Sequence, residues 1–457
     1  MFDVAILGAG PAGASTAIRL AGFGFTVALF DKGEGRRQHV GESLPSSIHA
    51  VFETLKLELP EAVVAPRPPE HFVYWGRMAG GGAKEGRESS LLVWRGPFDR
   101  YLREEAVRRG VELLDGAVRR VQRCRDGHEI HHRGGEKLVS RFVVDASGRA
   151  GVLARRYRRR EKAFRTLALT GHFRTEEKEP PTLVEAFDDG WVWSAPLRNG
   201  LRDVTAMLDA RATGRDRREI YRDAVEAAGH VRSIVASARR VGPVRGIDAT
   251  SYTASRFCDR DLLLVGDAAT VVDPLSAHGV HKAMDGALMA AAVARTILER
   301  PAMAEDAARF YDEHESRIYR VMRVRLAGLY RQESRFVDRP FWAERGTFEA
   351  PATRAPDPPK APLVSTAKLR AGVGVEIVHT PVLENDYVER REVLVRPGAE
   401  RPVRFLGTLS LPELFRGALR AESASAAARS AAASFERAYE AIDWMVRFGY
   451  LDPEGPP

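Results

Sequence analysis

Cysteine is nearly missing from this chain: Cys124 and Cys258 are the only two in 457 residues. That excludes a disulfide framework, a CxxC redox pair and a thiolate metal centre, and no metal site is expected. Long apolar runs are missing as well. The stretch Ala287 to Ile297 falls far short of the roughly 20 residues that cross a bilayer, so no membrane span is expected. The opening MFDVAILGAG carries no basic leader and no cleavage site, which points to a cytoplasmic protein. Neither sign of charge dominates, and the net +8 would attract an anionic cofactor, an acidic partner or nucleic acid. The basic run Arg155 to Arg160 reads as a solvated face, so no nucleic acid is expected. A hydrophobic share of 44% against 29% charged is that of a globular protein, and the length suggests two or three domains.

What is present begins with glycine. Gly8, Gly10 and Gly13 form GxGxxG between a short apolar strand, Asp3 to Leu7, and an Ala-rich helical stretch, Ala12 to Gly22. The first allows the tight turn, the second admits a pyrophosphate to the backbone, and the third packs helix on strand. A second strand, Thr26 to Asp31, ends 18 residues beyond Gly13 in a carboxylate placed to accept hydrogen bonds from ribose hydroxyls, with Lys32 next to it. The unit predicts a dinucleotide site.

Two later segments specify the dinucleotide. VDASGR (Val144 to Arg149) and LLVGDAATVVDP (Leu263 to Pro274) resemble the second and third signatures of glutathione-reductase-type flavoprotein monooxygenases, which hold FAD. The resemblance implies FAD contacts from Asp145, Gly148, Gly266, Asp267 and Pro274, and from Arg95, which precedes the PheAsp of GPFDRYL and matches the family arginine over the flavin.

HVGESLPSS (His39 to Ser47), GWVWSAPL (Gly190 to Leu197) and PLSAHGVHKA (Pro274 to Ala283) are similar to the GES segment, the WxWxIP box and the flavin-facing loop of flavin-dependent halogenases. Ala195 stands where the box has Ile. The likeness covers roughly residues 1 to 340 and implies flavin contacts from Glu42, Ser43, Gly279 and Val280. Trp193 belongs to the box that separates flavin from substrate, with core packing as its alternative reading. His278 and Glu42 are the candidate proton-handling groups, with structural hydrogen bonding as theirs; His281 is a weaker third.

Halogenation in that family needs a Lys shortly before a Phe-x-Trp-Gly segment. The corresponding stretch is RPPEHFVYWG (Arg67 to Gly76), and no Lys lies between Lys56 and Lys84. An Arg there stays protonated and is a poor nucleophile. The resemblance then implies a monooxygenase that hydroxylates an electron-rich aromatic ring through a flavin C4a-hydroperoxide, with electrons from NAD(P)H or a separate flavin reductase, since no second GxGxxG follows. Alternatives are a halogenase or a small-molecule hydroxylase of natural-product biosynthesis, a geranylgeranyl-reductase-type FAD reductase, and a non-catalytic flavin-binding adaptor.

The expected fold is α/β. A Rossmann-like FAD-binding domain of glutathione-reductase type spans residues 1–75, 95–165 and 255–345, and an antiparallel-sheet substrate domain spans 76–94 and 166–254. A Pro-rich linker, 346–367, leads to a small C-terminal α+β module, 368–457, where Trp444 is read as core. This layout resembles the flavin monooxygenases that hydroxylate peptidyl tryptophan in the maturation of tryptophylquinone enzymes such as quinohemoprotein amine dehydrogenase. It implies an aromatic substrate, tryptophan on a peptide or protein among the options, in quinone cofactor biogenesis.

Overall fold

The computed structural model describes residues 1–33, 41–64, 70–76, 91–133, 135, 137–176, 181–197, 200–211, 215–348, 363–399 and 401–454. It divides into two compact units, Met1–Phe348 and Glu349–Pro457.

The first strand, Phe2–Leu7, lies between Val27–Asp31 and Leu138–Asp145, parallel to both. Glu112–Asp115 extends the sheet on one side and Leu262–Leu264 joins Leu138–Asp145 on the other, again parallel. Val4, Ala5, Ile6, Leu7, Val143, Val144 and Leu263 are all inaccessible to solvent, which accounts for the unbroken apolar runs: a parallel sheet is covered on both faces. The register aligns the strand ends, with Leu7 opposite Asp145 and Asp145 opposite Leu264. Every loop that leaves those ends therefore emerges on one edge. In α/β sheets that edge is where ligands bind.

The second sheet has six strands, in the order Arg239–Asp248, Thr166–Arg174, Leu201–Asp209, Gly190–Pro196, Thr182–Phe187 and His71–Tyr74. Alternation gives it two faces. One carries Leu169, Val192, Val204 and Ala206 beneath the helices Arg217–Ala227 and Gly229–Val235. The other carries Ala168, Trp191, Trp193 and Met207 and packs against Trp75, Tyr330, Phe341 and Trp342.

Two boundaries differ from the sequence expectation. His71–Tyr74, expected within the flavin-binding piece, is the parallel edge strand of the second sheet. Leu91–Trp94, expected within the substrate domain, pairs with Gly41–Leu44. Four-residue strands do not declare their partners; long-range packing assigns them. Residues 77–90 and most of the Pro-rich linker lie outside the described residues.

The C-terminal unit closes Leu369–Ala371 on Leu451–Pro453 and sends out a hairpin, Glu376–Glu384 with Tyr387–Val395. Asn385 and Asp386 both have positive φ, the geometry of a two-residue primed turn. The helices Leu411–Arg420, Ala424–Ser430 and Phe435–Arg447 enclose its own core, on which Trp444 packs, stacked on Tyr450 at 5.4 Å. Among the described residues no helix is long and apolar enough to cross a membrane.

Candidate active site

The glycine loop is closed by sterics. Gly8 has φ +113°, and a Cβ there would sit 2.6 Å from the Ala146 carbonyl oxygen. A Cβ on Gly13 would sit 1.9 Å from the Gly8 carbonyl oxygen. Gly10 is the extended residue before the helix Pro11–Gly22, and Pro11 occupies the first turn, where its missing N–H costs nothing. The free N–H groups of that turn and the helix dipole face the crest of the sheet, a seat for a pyrophosphate. This backbone cradle, which a single methyl would fill, fits FAD.

Around it stand the other sequence-chosen residues. Asp31 ends its strand at the crest, its Oδ1 accepting from the Gly33 N–H at 3.2 Å and its Oδ2 3.4 Å from the Arg103 guanidinium. Lys32 is exposed beside it. Gly266 (φ +63°) packs on Ala12, where a Cβ would approach to 2.7 Å, so the third signature rests on the helix of the first. Asp267 lies in the following turn, 3.7 Å from Arg149, and its carbonyl accepts from Tyr252 at 2.6 Å. Gly148 takes the positive φ of its turn.

Asp145 is tied into its own loop. It is fully buried; Oδ1 accepts from Ser147 N at 3.0 Å and from its hydroxyl, while Oδ2 accepts from Leu153 N at 2.7 Å and Ala154 N at 2.8 Å. Both oxygens accept from their own loop, so Asp145 shapes the second signature.

The strand Gly41–Leu44 brings Glu42 and Ser43 against the helix Arg95–Arg108 and the helix Gly279–Glu299, which carries the loop resembling the flavin-facing loop of the halogenases. His39 and Val40 lie outside the described residues. Arg95, the first residue of its helix, meets Asp99 with Nε at 2.9 Å and Nη2 at 3.0 Å, and Glu42 with Nη1 at 3.4 Å. Burial pushes the Glu42 carboxyl above the usual carboxylate range; Arg95 opposes this, and the charges of Asp267 and Asp99 add to it. A Cβ on Gly279 would lie 4.0 Å from Glu42 Oε1, which places that oxygen at the amino end of the flavin-loop helix.

Pro274 opens the short turn before that helix, with Val280 buried in its first turn. His278 turns Nδ1 onto the Ser276 carbonyl. A carbonyl oxygen only accepts, so Nδ1 is the donor in that contact. His281 holds the Ser47 hydroxyl at 2.9 Å and is kept below the usual imidazole range by burial, with Asp285 opposing and His278 adding to the shift. Trp193 closes the cleft from the second sheet: its indole lies 3.6 Å, and Leu197 2.9 Å, from where a Cβ on Gly41 would be. Trp191, one pleat away, is core.

Sequence reasoning missed Asp99, Arg103, Asp273 and Tyr330. The first two were legible, because Arg95, Asp99 and Arg103 recur every four residues on one helix face. Asp273 accepts from Tyr330 at 2.9 Å across 57 residues, and no local pattern announces that. Among the described residues, no group of three or more His, Cys, Asp or Glu could hold a metal.

A nucleotide crest, a charge triad built on a buried ion pair and a tryptophan-walled sheet are together the site of an FAD-dependent oxidoreductase, and FAD is its cofactor. The tryptophan halogenase family model matches residues 84–356, and the chain belongs to that family. It is 31% identical over 335 residues to a tryptophan 2-halogenase of Chondromyces crocatus, covering 67% of this chain and 64% of that protein, so it spans under two thirds of that relative. It is 28% identical to a 1H-pyrrole-2-carbonyl-[peptidyl-carrier protein] chlorinase of Pseudomonas fluorescens, over 63% of this chain and 74% of that one. Among solved structures, a peptidyl tryptophan dihydroxylase essential for tryptophylquinone cofactor biogenesis, QhpG, matches 98% of this chain and 99% of its own at 27% identity and TM-score 0.77. The halogenase CmlS, at 21% identity and TM-score 0.78, shares the fold.

Proposed function

We propose that this protein is an FAD-dependent monooxygenase that hydroxylates an electron-rich aromatic ring, with a tryptophan side chain carried by a peptide or protein as substrate, in the biogenesis of a quinone cofactor. One observation carries the reading: the segment before Phe72-Val-Tyr-Trp-Gly76, where halogenases of this family place their lysine, has no Lys between Lys56 and Lys84. The end-to-end likeness to a peptidyl tryptophan dihydroxylase, C-terminal unit included, supports it.

FAD, when bound, supplies dioxygen activation and oxygen transfer. The chain's own residues do the rest. The glycine loop and the helix end at Pro11 would hold the pyrophosphate, Asp31 would accept from the ribose hydroxyls, and Asp267 with Gly266 would hold the ribityl portion. Arg95, fixed by Asp99, would hold the flavin ring together with Ser43 and the Pro274–Val280 loop. Glu42, kept protonated by burial to a higher pH than a free carboxyl, gives up a proton at the amino end of the flavin-loop helix. His278 accepts one at Nε2. Trp193 excludes water and keeps the ring to be oxidised at a set distance. Electrons come from NAD(P)H or from a separate flavin reductase.

The likeness to a tryptophan 2-halogenase favours a second reading, halide transfer. One experiment separates the two. The purified protein is given reduced FAD, dioxygen, bromide and a tryptophan-containing peptide, and the peptide mass is read. A gain of oxygen supports hydroxylation. A gain of bromine establishes the halogenase reading and sinks ours, and an unchanged peptide rejects both for that substrate class.

A further inference from the structure

Four of the six tryptophans, Trp75, Trp191, Trp193 and Trp342, gather with Tyr330 on one face of the second sheet. The rings of Trp75, Trp191, Trp342 and Tyr330 touch one another, and Trp193 packs at the margin. Trp75 lies 4.9 Å from Trp342, 6.2 Å from Tyr330 and 6.3 Å from Trp191, centroid to centroid, and Tyr330 lies 5.8 Å from Trp342. Packing alone does not explain the polar line running through this cluster. Trp191 Nε1 donates to the Tyr330 hydroxyl at 3.3 Å, and that hydroxyl donates to Asp273 Oδ1 at 2.9 Å. Asp273 is buried, and its Oδ2 has no hydrogen-bond partner among the described residues. Asp273 also caps the following turn by accepting from Leu275 N at 3.0 Å, but that cap does not require a tyrosine hydroxyl, and a phenylalanine at 330 would fill the same space.

We propose that this cluster is an oxidation sink: an electron hole formed at the cleft passes from Trp191 to Tyr330, and Asp273 receives the phenolic proton. The proposal rests on the reading of this protein as a dioxygen-activating flavoenzyme. A one-electron oxidant derived from dioxygen removes an electron from the indole of Trp191, and Tyr330 refills it. In that step the Tyr330 O–H bond breaks, its electron goes to the indole, its proton forms an O–H bond on Asp273, and a neutral tyrosyl radical remains. A small one-electron reductant such as a thiol returns the electron, and Asp273 returns the proton. Burial raises the affinity of Asp273 for that proton, with Arg345 and the hydrogen bonds from Leu275 and Tyr330 opposing. The device diverts damage from Trp193, whose ring walls the cleft.

The test needs no substrate. Blue light makes the bound oxidised flavin itself the local oxidant, and radicals frozen in the FAD-loaded enzyme are read by electron paramagnetic resonance. A neutral tyrosyl signal is expected in the parent, a tryptophanyl signal in its place in Tyr330→Phe, and a several-fold lower tyrosyl yield in Asp273→Asn. During futile turnover of reduced FAD with dioxygen, oxidised Trp191 and Trp75, read by peptide mass spectrometry, should rise several-fold in Tyr330→Phe. A parent-like signal in a Tyr330→Phe protein of parental melting temperature overturns the proposal, as does unchanged tryptophan oxidation. If Tyr330→Phe does not fold, an undiminished tyrosyl yield in Asp273→Asn overturns it. Failure of the hydroxylation reading shows separately, as a peptide that gains no oxygen whichever radical is trapped.

Discussion

Arg95 and Asp99 form a two-point ion pair, at 2.9 and 3.0 Å, in which both residues are over nine-tenths buried. One turn of helix separates them, so the backbone holds the pair in register before any cofactor arrives. Removing one partner leaves the other charge buried without its match. Asp99→Ala should cost about 3 kcal/mol of stability by urea unfolding. Asp99→Asn, which can still accept one hydrogen bond, should cost less. Equal stability of Asp99→Ala and parent would show that the cleft is wetter than described.

Gly13→Ala should yield protein without flavin. Its Cβ would overlap the Gly8 carbonyl oxygen, and the loop cannot give way because Gly8 is itself pressed on Ala146. Gly22, at the other end of the same helix, has nothing within 4 Å of a built Cβ. Gly22→Ala should keep its flavin and gain up to about 1 kcal/mol from helix propensity. The ratio of flavin to protein absorbance after purification reads both.

Asp145→Ala should destabilise the flavin-free protein as well as the loaded one, by about 3 kcal/mol, since Leu153 N and Ala154 N lose a buried acceptor. Melting curves with and without added FAD distinguish this from a ligand contact, whose loss would show only in the loaded form.

His314 gives stability a pH dependence. Burial, with Arg317 adding to it and Asp285 opposing, lowers its pKa to about 4. A histidine depressed on folding is harmless while neutral in both states, so its contribution is complete above about pH 6.5 and is lost as pH falls toward 4. The loss is about 3 kcal/mol at the outside. His314→Gln should flatten the denaturation midpoint across that window, and an unchanged slope would count against a buried neutral ring.

How much of this was readable in advance depends on how far apart the partners lie. Gly8, Gly10, Gly13 and Asp31 form a unit of about thirty residues whose roles follow from local sterics and strand length. The two tryptophans of the box share a face because strand periodicity is two. Asp145 adds something of a different kind: its motif marks a flavin loop, and only the folded loop shows the four donors that meet its carboxylate.

Chain order alone was enough for the βαβ unit, the flavin family and the absence of the halogenase lysine, because each depends on neighbours a few residues apart. Folding decided the rest. It set Glu42 beside Arg95 across 53 residues, moved His71–Tyr74 into the second sheet, and joined Trp191, Tyr330 and Asp273 into one line. Burial, hydrogen-bond satisfaction and ring contact arise between surfaces that only packing brings together, and a residue's charge state or partner is a property of that surface and not of its place in the chain.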